Sequence, residues 1–269
     1  MVDDEWTSAL PAIIRRLARR WSVDVGAPFT AGCSTFVAPA TAADGTQLVV
    51  KIARRHAEAA HEAEGLRTWN GCGTVRIYAS DDTPATTALL LERCLPGTPL
   101  RLRAEAEQDV VIASLLSRLW REPPAGHCFR PLSHMCDDWA EEFEERVAGQ
   151  VRIDHGLARE GIALLRELPR NAQRSVLLCT DLHAGNVLAA EREPWLVIDP
   201  KPYVGDPAYD VIQHLLNCER LRTDPLGLVK RIADLFCLDH DRVRLWLFAR
   251  CVQESPEDEA LAEIALRLR

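Results

Sequence analysis

The stretch Leu178-Cys179-Thr180-Asp181-Leu182-His183-Ala184-Gly185-Asn186-Val187-Leu188, continued by Leu196-Val197-Ile198-Asp199-Pro200, decides the reading of this chain. An apolar run carries the backbone to Asp181. A second follows Asn186, and a third ends at Asp199. Short strands of this kind hold polar side chains at their exits. One carboxylate can take a proton from a hydroxyl, while an amide and a second carboxylate can hold a divalent cation beside it. Phosphoryl transfer from ATP requires that set, because the reaction is mostly positioning and neutralisation of phosphate charge.

The spacing Asp-x-x-x-x-Asn is that of a kinase catalytic loop, and an Asp after the next hairpin stands where kinases place their metal-binding Asp. The competing reading is an ordinary tight loop, since Asp and Asn favour turns and Gly185 is expected to supply a positive φ. Asp199 at the end of an apolar run, with Lys51 far upstream, favours the kinase reading.

Lys51 stands inside the apolar strand Leu48-Val49-Val50-Lys51-Ile52. A buried lysine needs an anionic partner; an edge-strand lysine pointing to water is the alternative. A helix over 56–70 offers Glu62, with Glu64 in reserve, as that partner in the Lys–Glu pair that holds ATP phosphates. Between two strand-like runs lies Gly32-Cys33-Ser34-Thr35, where a hairpin would cover the phosphates, although the segment is far poorer in glycine than a phosphate loop. Asp44-Gly45 marks a hairpin turn. Strands are expected at 74–79 and 86–93, and Pro96-Gly97 breaks the chain after them. The expected division falls here, with a nucleotide-binding part over 1–93 and a helical part over 94–269.

The N-terminal residues 4–21 place Trp6, Leu10, Ile13, Ile14, Leu17 and Trp21 at helical spacing. Beyond residue 100, helices are expected at 102–121, 133–149, 157–169, 224–237, 239–253 and 256–268. Ser255-Pro256-Glu257-Asp258 is the expected cap of the last, and Asp206-Pro207 the start of another, in which Asp210 follows one turn on. The helix at 133–149 carries the acidic run Asp137, Asp138, Glu141, Glu142, Glu144 and Glu145. This is a solvated face, or in part a flank for a cationic ligand.

The 269 residues suit two lobes or one large domain, and 47% hydrophobic with 27% charged residues is ordinary for a globular enzyme. A net charge of −8 argues against a general nucleic-acid binder. Nine cysteines without a Cys-x-x-Cys pair read as reduced, buried thiols of a cytoplasmic protein. The acidic Met1–Trp6 is no signal peptide, and no apolar run is long enough to span a bilayer.

Thr180–Leu188 followed by Ile198-Asp199-Pro200 resembles the aminoglycoside phosphotransferases, small-molecule kinases with the protein-kinase-like fold. The longer strings Arg192–Pro202 and Val204-Gly205-Asp206-Pro207-Ala208-Tyr209-Asp210 resemble the aminoglycoside/hydroxyurea branch, which contains streptomycin 6-phosphotransferases. The resemblance covers nearly the whole chain and is strongest over 176–217. It implies an α+β, bilobal fold, with a small antiparallel-sheet N-lobe and a mostly helical C-lobe. It implies ATP and Mg2+, with Asp181 as catalytic base, Asn186 and Asp199 as magnesium ligands, and Lys51 held by Glu62 on the α- and β-phosphates. Ser34 and Thr35 would lie over the phosphates. Glu92, Arg93 and Cys94 would form the adenine hinge, and His183 and Asp210 would support the loop. A cationic aminoglycoside acceptor would lie against 137–145 or Glu254–Glu259. Where the family has His-Gly before the catalytic Asp, this chain has Cys179-Thr180.

Other readings keep the chemistry but change the acceptor, to hydroxyurea or a metabolic alcohol, or replace it with a metal-dependent hydrolase using Asp181, His183 and Asp199. A nucleotide-binding pseudokinase would lose the magnesium ligands that this chain keeps. The lack of an HRD triplet and an APE segment argues against a protein substrate.

Overall fold

The computed structural model describes residues 2–31, 35–55, 60–149 and 153–269. It divides into two compact units, Met1–Thr98 with Leu188–Ile198, and Pro99–Val187 with Asp199–Arg269. The division expected after residue 93 thus stands beside one after Thr98, with 188–198 returned to the first unit.

The first unit begins with α1 (Val2–Trp21), followed by β1 (Val23–Val25), β2 (Thr30–Ala31), β3 (Thr35–Ala42), β4 (Gln47–Arg54), α2 (Glu62–Trp69), β5 (Ile77–Asp82) and β6 (Thr86–Glu92). The strands form an antiparallel sheet in the order β1-β3-β4-β6-β5, with β2 against β3. Asp44-Gly45 turns β3 into β4: Gly45 takes φ 86°, and the Asp44 carboxylate accepts from Thr46 N at 2.9 Å.

Alternation along the strands sends two apolar sets to opposite faces. Phe36, Ala38, Ala40, Leu48, Val50, Ile52, Ala88 and Leu90 meet Trp6, Leu10, Ile13, Ile14, Leu17 and Trp21 of α1. Val49, Leu89 and Leu91 face Leu66, Val75 and Leu196. Lys51 falls in the second alternation, paired with Val37 and Leu89 across the sheet.

The strand expected at 74–79 starts at Ile77 instead, because Thr74 and Val75 give their backbone to another partner. Val75 N donates to Val197 O at 3.0 Å, and Val197 N donates to Gly73 O at 2.9 Å. The hairpin of β9 (Val187–Ala189) and β10 (Trp195–Val197) is tied to the first unit by side chains as well. Arg192 grips Glu92 through Nε and Nη2, both at 2.8 Å, and donates to Gly71 O and Thr74 O.

The second unit holds α3 (Glu105–Leu119), β7 (Arg130–Pro131), α4 (Leu132–Gly149), α5 (His155–Glu167), β8 (Val176–Leu178), β11 (Tyr203–Gly205), α6 (Pro207–Asp210), α7 (Ile212–Leu216), α8 (Arg220–Thr223), α9 (Pro225–Phe236), α10 (His240–Glu254) and α11 (Ala260–Leu268). β11 lies between β7 and β8. Its aromatic core includes Tyr209, edge-on to Trp246 at 5.1 Å between ring centroids. The buried Arg250 stacks on Trp139 at 4.1 Å and donates to Tyr209 Oη at 2.7 Å.

Two expectations shift here. The last helix starts at Ala260 rather than 256. Ser255 closes α10 instead, its hydroxyl donating back to Val252 O at 2.7 Å, and the turn ends with Ala260 N on Asp258 Oδ1. The acidic run of α4 is partly committed to arginines of the next helical segment: Asp137 pairs with Arg170 at 2.5 Å and Glu144 with Arg166 at 2.7 Å. Glu254, Glu257 and Asp258 likewise pair with Arg250, Arg146 and Arg222.

The described cysteines are free thiols. Cys94, Cys136, Cys179, Cys218 and Cys251 are buried as expected, while Cys128 and Cys237 are exposed. Among the described residues no helix is long and apolar enough to cross a membrane.

Candidate active site

In the first unit the strand lysine finds its carboxylate. Lys51 Nζ lies 2.6 Å from Glu62 Oε2, with the residues 9% and 3% exposed. The sheet register places Lys51 on the face toward α2, and Glu62 opens that helix. The pair can present an ammonium fixed in direction, as phosphate binding requires. Glu64, the reserve candidate, pairs with Arg67 instead.

Past β6 the expected hinge side chains are occupied locally. Burial would raise the Glu92 pKa, but hydrogen bonds from Arg192 and from Arg76 N hold it below the ordinary carboxylate value. Arg93 donates to Gln47 Oε1 at 2.8 Å and lies over Phe29. Burial, aided by the Glu92 charge, pushes the Cys94 thiol up to about 12. Base recognition here would therefore fall to the backbone that runs on after Glu92. Thr35 is the first residue of β3, opposite Ala53, and Ser34 lies outside the described residues.

In the second unit β8 delivers the loop. Asp210, wholly buried at the end of α6, accepts from Thr180 N at 2.6 Å, Cys179 N at 3.1 Å and Trp120 Nε1 at 2.9 Å. Burial raises its pKa to about 6 against the opposing pull of these donors. The neighbouring Asp206 caps α6 through Ala208 N and also accepts from Trp246 Nε1 and Arg242. It is thus both a cap and a buried tie.

Asp181 follows this anchor. Its side chain is partly exposed, and its Oδ2 lies 2.8 Å from Lys201 Nζ. Asn186 Nδ2 donates to Asp181 O at 3.0 Å, which turns the amide nitrogen inward and makes Oδ1 the atom available to a cation. Asp199 takes φ 52°. An amide oxygen and a carboxylate are hard donors, a set that fits magnesium.

His183 caps the single turn Ala184–Asn186, accepting from Gly185 N through Nδ1 at 3.0 Å. Gly185 does not take the positive φ expected of it; its lack of a side chain serves the close approach of His183, since an added Cβ would fall 2.6 Å from His183 Cε1 and displace that ring. Burial lowers the His183 pKa and so favours the neutral, accepting ring. This occupation of Nδ1 argues against the hydrolase reading. Among the described residues the ligand-like cluster is not Asp181, His183 and Asp199 but Asp109, His214 and Cys218. There Asp109 is held well below its usual pKa: burial opposes the shift, but His214, Arg220 and Arg231 outweigh it. That cluster is an internal ion-pair knot.

Lys201 and Trp120 carry no role in the sequence reading, yet both touch this loop system. The signal for Lys201 was its place directly after Asp199-Pro200. Trp120, 90 residues from Asp210, left none.

A family model for aminoglycoside/hydroxyurea antibiotic resistance kinases matches residues 20–257. A streptomycin 6-kinase of Streptomyces glaucescens is 34% identical over 262 residues, covering 93% of this chain and 83% of that protein. A hydroxyurea phosphotransferase of Kitasatospora aureofaciens is 35% identical over 270 residues, covering 97% and 77%. Among solved structures, the aminoglycoside phosphotransferase APH(4)-Ia in a ternary complex with AMP-PNP and hygromycin B aligns with a TM-score of 0.63 at 15% identity, over 94% and 95% of the two chains. Macrolide 2'-phosphotransferase MphH from Brachybacterium faecium aligns with a TM-score of 0.61 at 17% identity, over 97% of each. The fold is thus the bilobal α+β fold of small-molecule kinases, and the chain belongs to the aminoglycoside/hydroxyurea antibiotic resistance kinase family.

Proposed function

We propose that this phosphotransferase moves the γ-phosphate of ATP to a hydroxyl of streptomycin or a closely similar aminoglycoside, the 6-hydroxyl of streptomycin being the first choice. The observation that carries the reading is the loop geometry. A partly exposed carboxylate, Asp181, is delivered by a strand, anchored from behind by Asp210, and flanked by an amide, Asn186, whose oxygen is free to face a cation. The streptomycin 6-kinases of Streptomyces glaucescens and Streptomyces griseus, 34% and 35% identical, support the acceptor.

Each residue has a separate task. Lys51, steadied by Glu62, binds the α- and β-phosphates. Glu92–Cys94 offers backbone groups to the adenine edge, and the segment with Ser34 and Thr35 covers the phosphates. Asn186 and Asp199 hold magnesium, which neutralises phosphate charge when bound. Asp181 orients the acceptor hydroxyl and receives its proton. His183 and Asp210 keep the loop in shape.

ADP release with ATP, magnesium and a panel of aminocyclitols tests the reading. Turnover on streptomycin well above the ATPase background supports it, and none across the panel removes the acceptor assignment. A second reading, with hydroxyurea as acceptor, rests on the 35% identity to the hydroxyurea phosphotransferase. Protection of a sensitive host against one drug and not the other separates the two. The protein acts without nucleic acid or membrane in either reading, and we place it in the cytoplasm.

A further inference from the structure

Thr180 takes φ 49°, in the left-handed region that glycine enters freely and a β-branched residue rarely does. Its side chain is engaged: Oγ1 donates to Lys201 O at 2.6 Å. One residue earlier, Cys179 O accepts from Lys201 N at 2.9 Å. Both backbone groups of Lys201 are therefore held by the two residues that precede Asp181. From that fixed backbone its ammonium reaches Asp181 Oδ2 at 2.8 Å.

We propose that Thr180 and Lys201 are positioning residues for the transfer. The Thr180 hydroxyl clamps Lys201, and the Lys201 ammonium holds Asp181 in the orientation that turns Oδ1 toward the acceptor. The inference rests on Asp181 being the base. In the step, the acceptor oxygen bonds to the γ-phosphorus. The bond from that phosphorus to the β,γ-bridging oxygen breaks, and its electron pair leaves on ADP. The hydroxyl proton passes to Asp181 Oδ1 and later to solvent. Lys201 keeps its three protons and donates one hydrogen bond to Oδ2 throughout.

A left-handed threonine whose only role was to fit the turn would be improved by glycine. The clamp predicts the opposite for catalysis. In Thr180→Gly the melting temperature holds or rises while kcat falls roughly 10-fold or more, with both KM values within about 3-fold, because misplacing a reacting group acts on the chemical step. Thr180→Ser keeps the hydroxyl and retains wild-type kcat. Lys201→Met lowers kcat roughly 100-fold, and Lys201→Arg recovers part of it.

Crystal structures of the two Thr180 variants add a readout that needs no acceptor: the Lys201–Asp181 pair is kept in Thr180→Ser and lost in Thr180→Gly. An intact pair in Thr180→Gly, wild-type kcat in Thr180→Gly, or an equal loss in Thr180→Ser overturns the clamp. Asp181→Ala in the same assay guards the underlying reading. Full turnover there removes Asp181 as base, whereas a dead Asp181→Ala beside unaffected Thr180 and Lys201 variants removes the clamp alone.

Discussion

Replacing Asp210 with Asn should separate stability from catalysis. The carboxylate accepts three N–H groups, two on Oδ2 from Cys179 and Trp120 and one on Oδ1 from Thr180. An amide has one accepting oxygen. Placed at the Oδ2 position it keeps Cys179 and Trp120, and its NH2 then faces the Thr180 N–H, donor against donor. One charge-assisted bond is lost, about 1.5–3 kcal/mol. Against this stands the burial of the charge. The pKa, raised from 3.8 to about 6 although all three donors pull it down, shows that burial of the charge outweighs them. Removing the charge therefore offsets the lost bond, and Asp210→Asn should stay within about 2 kcal/mol of wild type by urea unfolding.

Catalysis has no such compensation, because the freed bond is the one adjoining Asp181. A shift of about 1 Å there lowers kcat about 100-fold. The pH dependence sharpens the test. A group whose folded pKa is raised adds stability that is complete below its unfolded value of 3.8 and is lost as pH rises through about 6. On acidification through about 6 this group should thus add stability while its protonated oxygen stops accepting, and kcat falls. Steady-state ADP release and thermal unfolding, followed together across that range, check it. Near-wild-type kcat in Asp210→Asn, or a loss of kcat matched by a collapse in stability, would rule out Asp210 as the anchor that positions Asp181.

Three further outcomes follow from the same contacts. Glu62→Ala leaves the Lys51 ammonium buried without this carboxylate and should cost about 3–5 kcal/mol by urea unfolding; Lys51→Met with Glu62→Met should recover most of that and still bind no ATP by calorimetry. Arg192→Ala removes five hydrogen bonds, two of them to Glu92 and one to Glu193, and should destabilise by about 3 kcal/mol in the same experiment, while Arg192→Lys, without the planar fork, regains only part. His183→Asn supplies a side-chain oxygen for Gly185 N–H and should keep kcat, whereas His183→Ala loses the cap, about 1 kcal/mol, and lowers kcat; abolition by both would make His183 an acid–base group after all.

The parts legible in the sequence were those with local causes. The apolar run around Lys51 gave its strand, and Asp-Pro at 206–207 gave the start of α6. The Asp181-to-Asn186 spacing gave the loop. What escaped depends on contacts between distant segments. Trp120 reaches Asp210 across 90 residues, and Arg192 reaches Glu92 across 100. No periodicity reports such pairs. The Lys201 contact escaped for another reason: it depends on left-handed backbone at Thr180, a residue type that does not advertise it. The acidic run of α4 was visible, but its arginine partners on the following helical segment were not. The start of α11 was misplaced because Ser255, a common cap, ends one helix instead of beginning the next.

The most direct test is mass spectrometry of streptomycin after incubation with ATP, magnesium and either wild-type enzyme or Asp181→Ala. Wild type should yield a drug heavier by one phosphoryl group, and the variant should leave the drug unmodified. Equal phosphorylation by both would contradict the role given to Asp181, and unmodified streptomycin with wild type would contradict the acceptor.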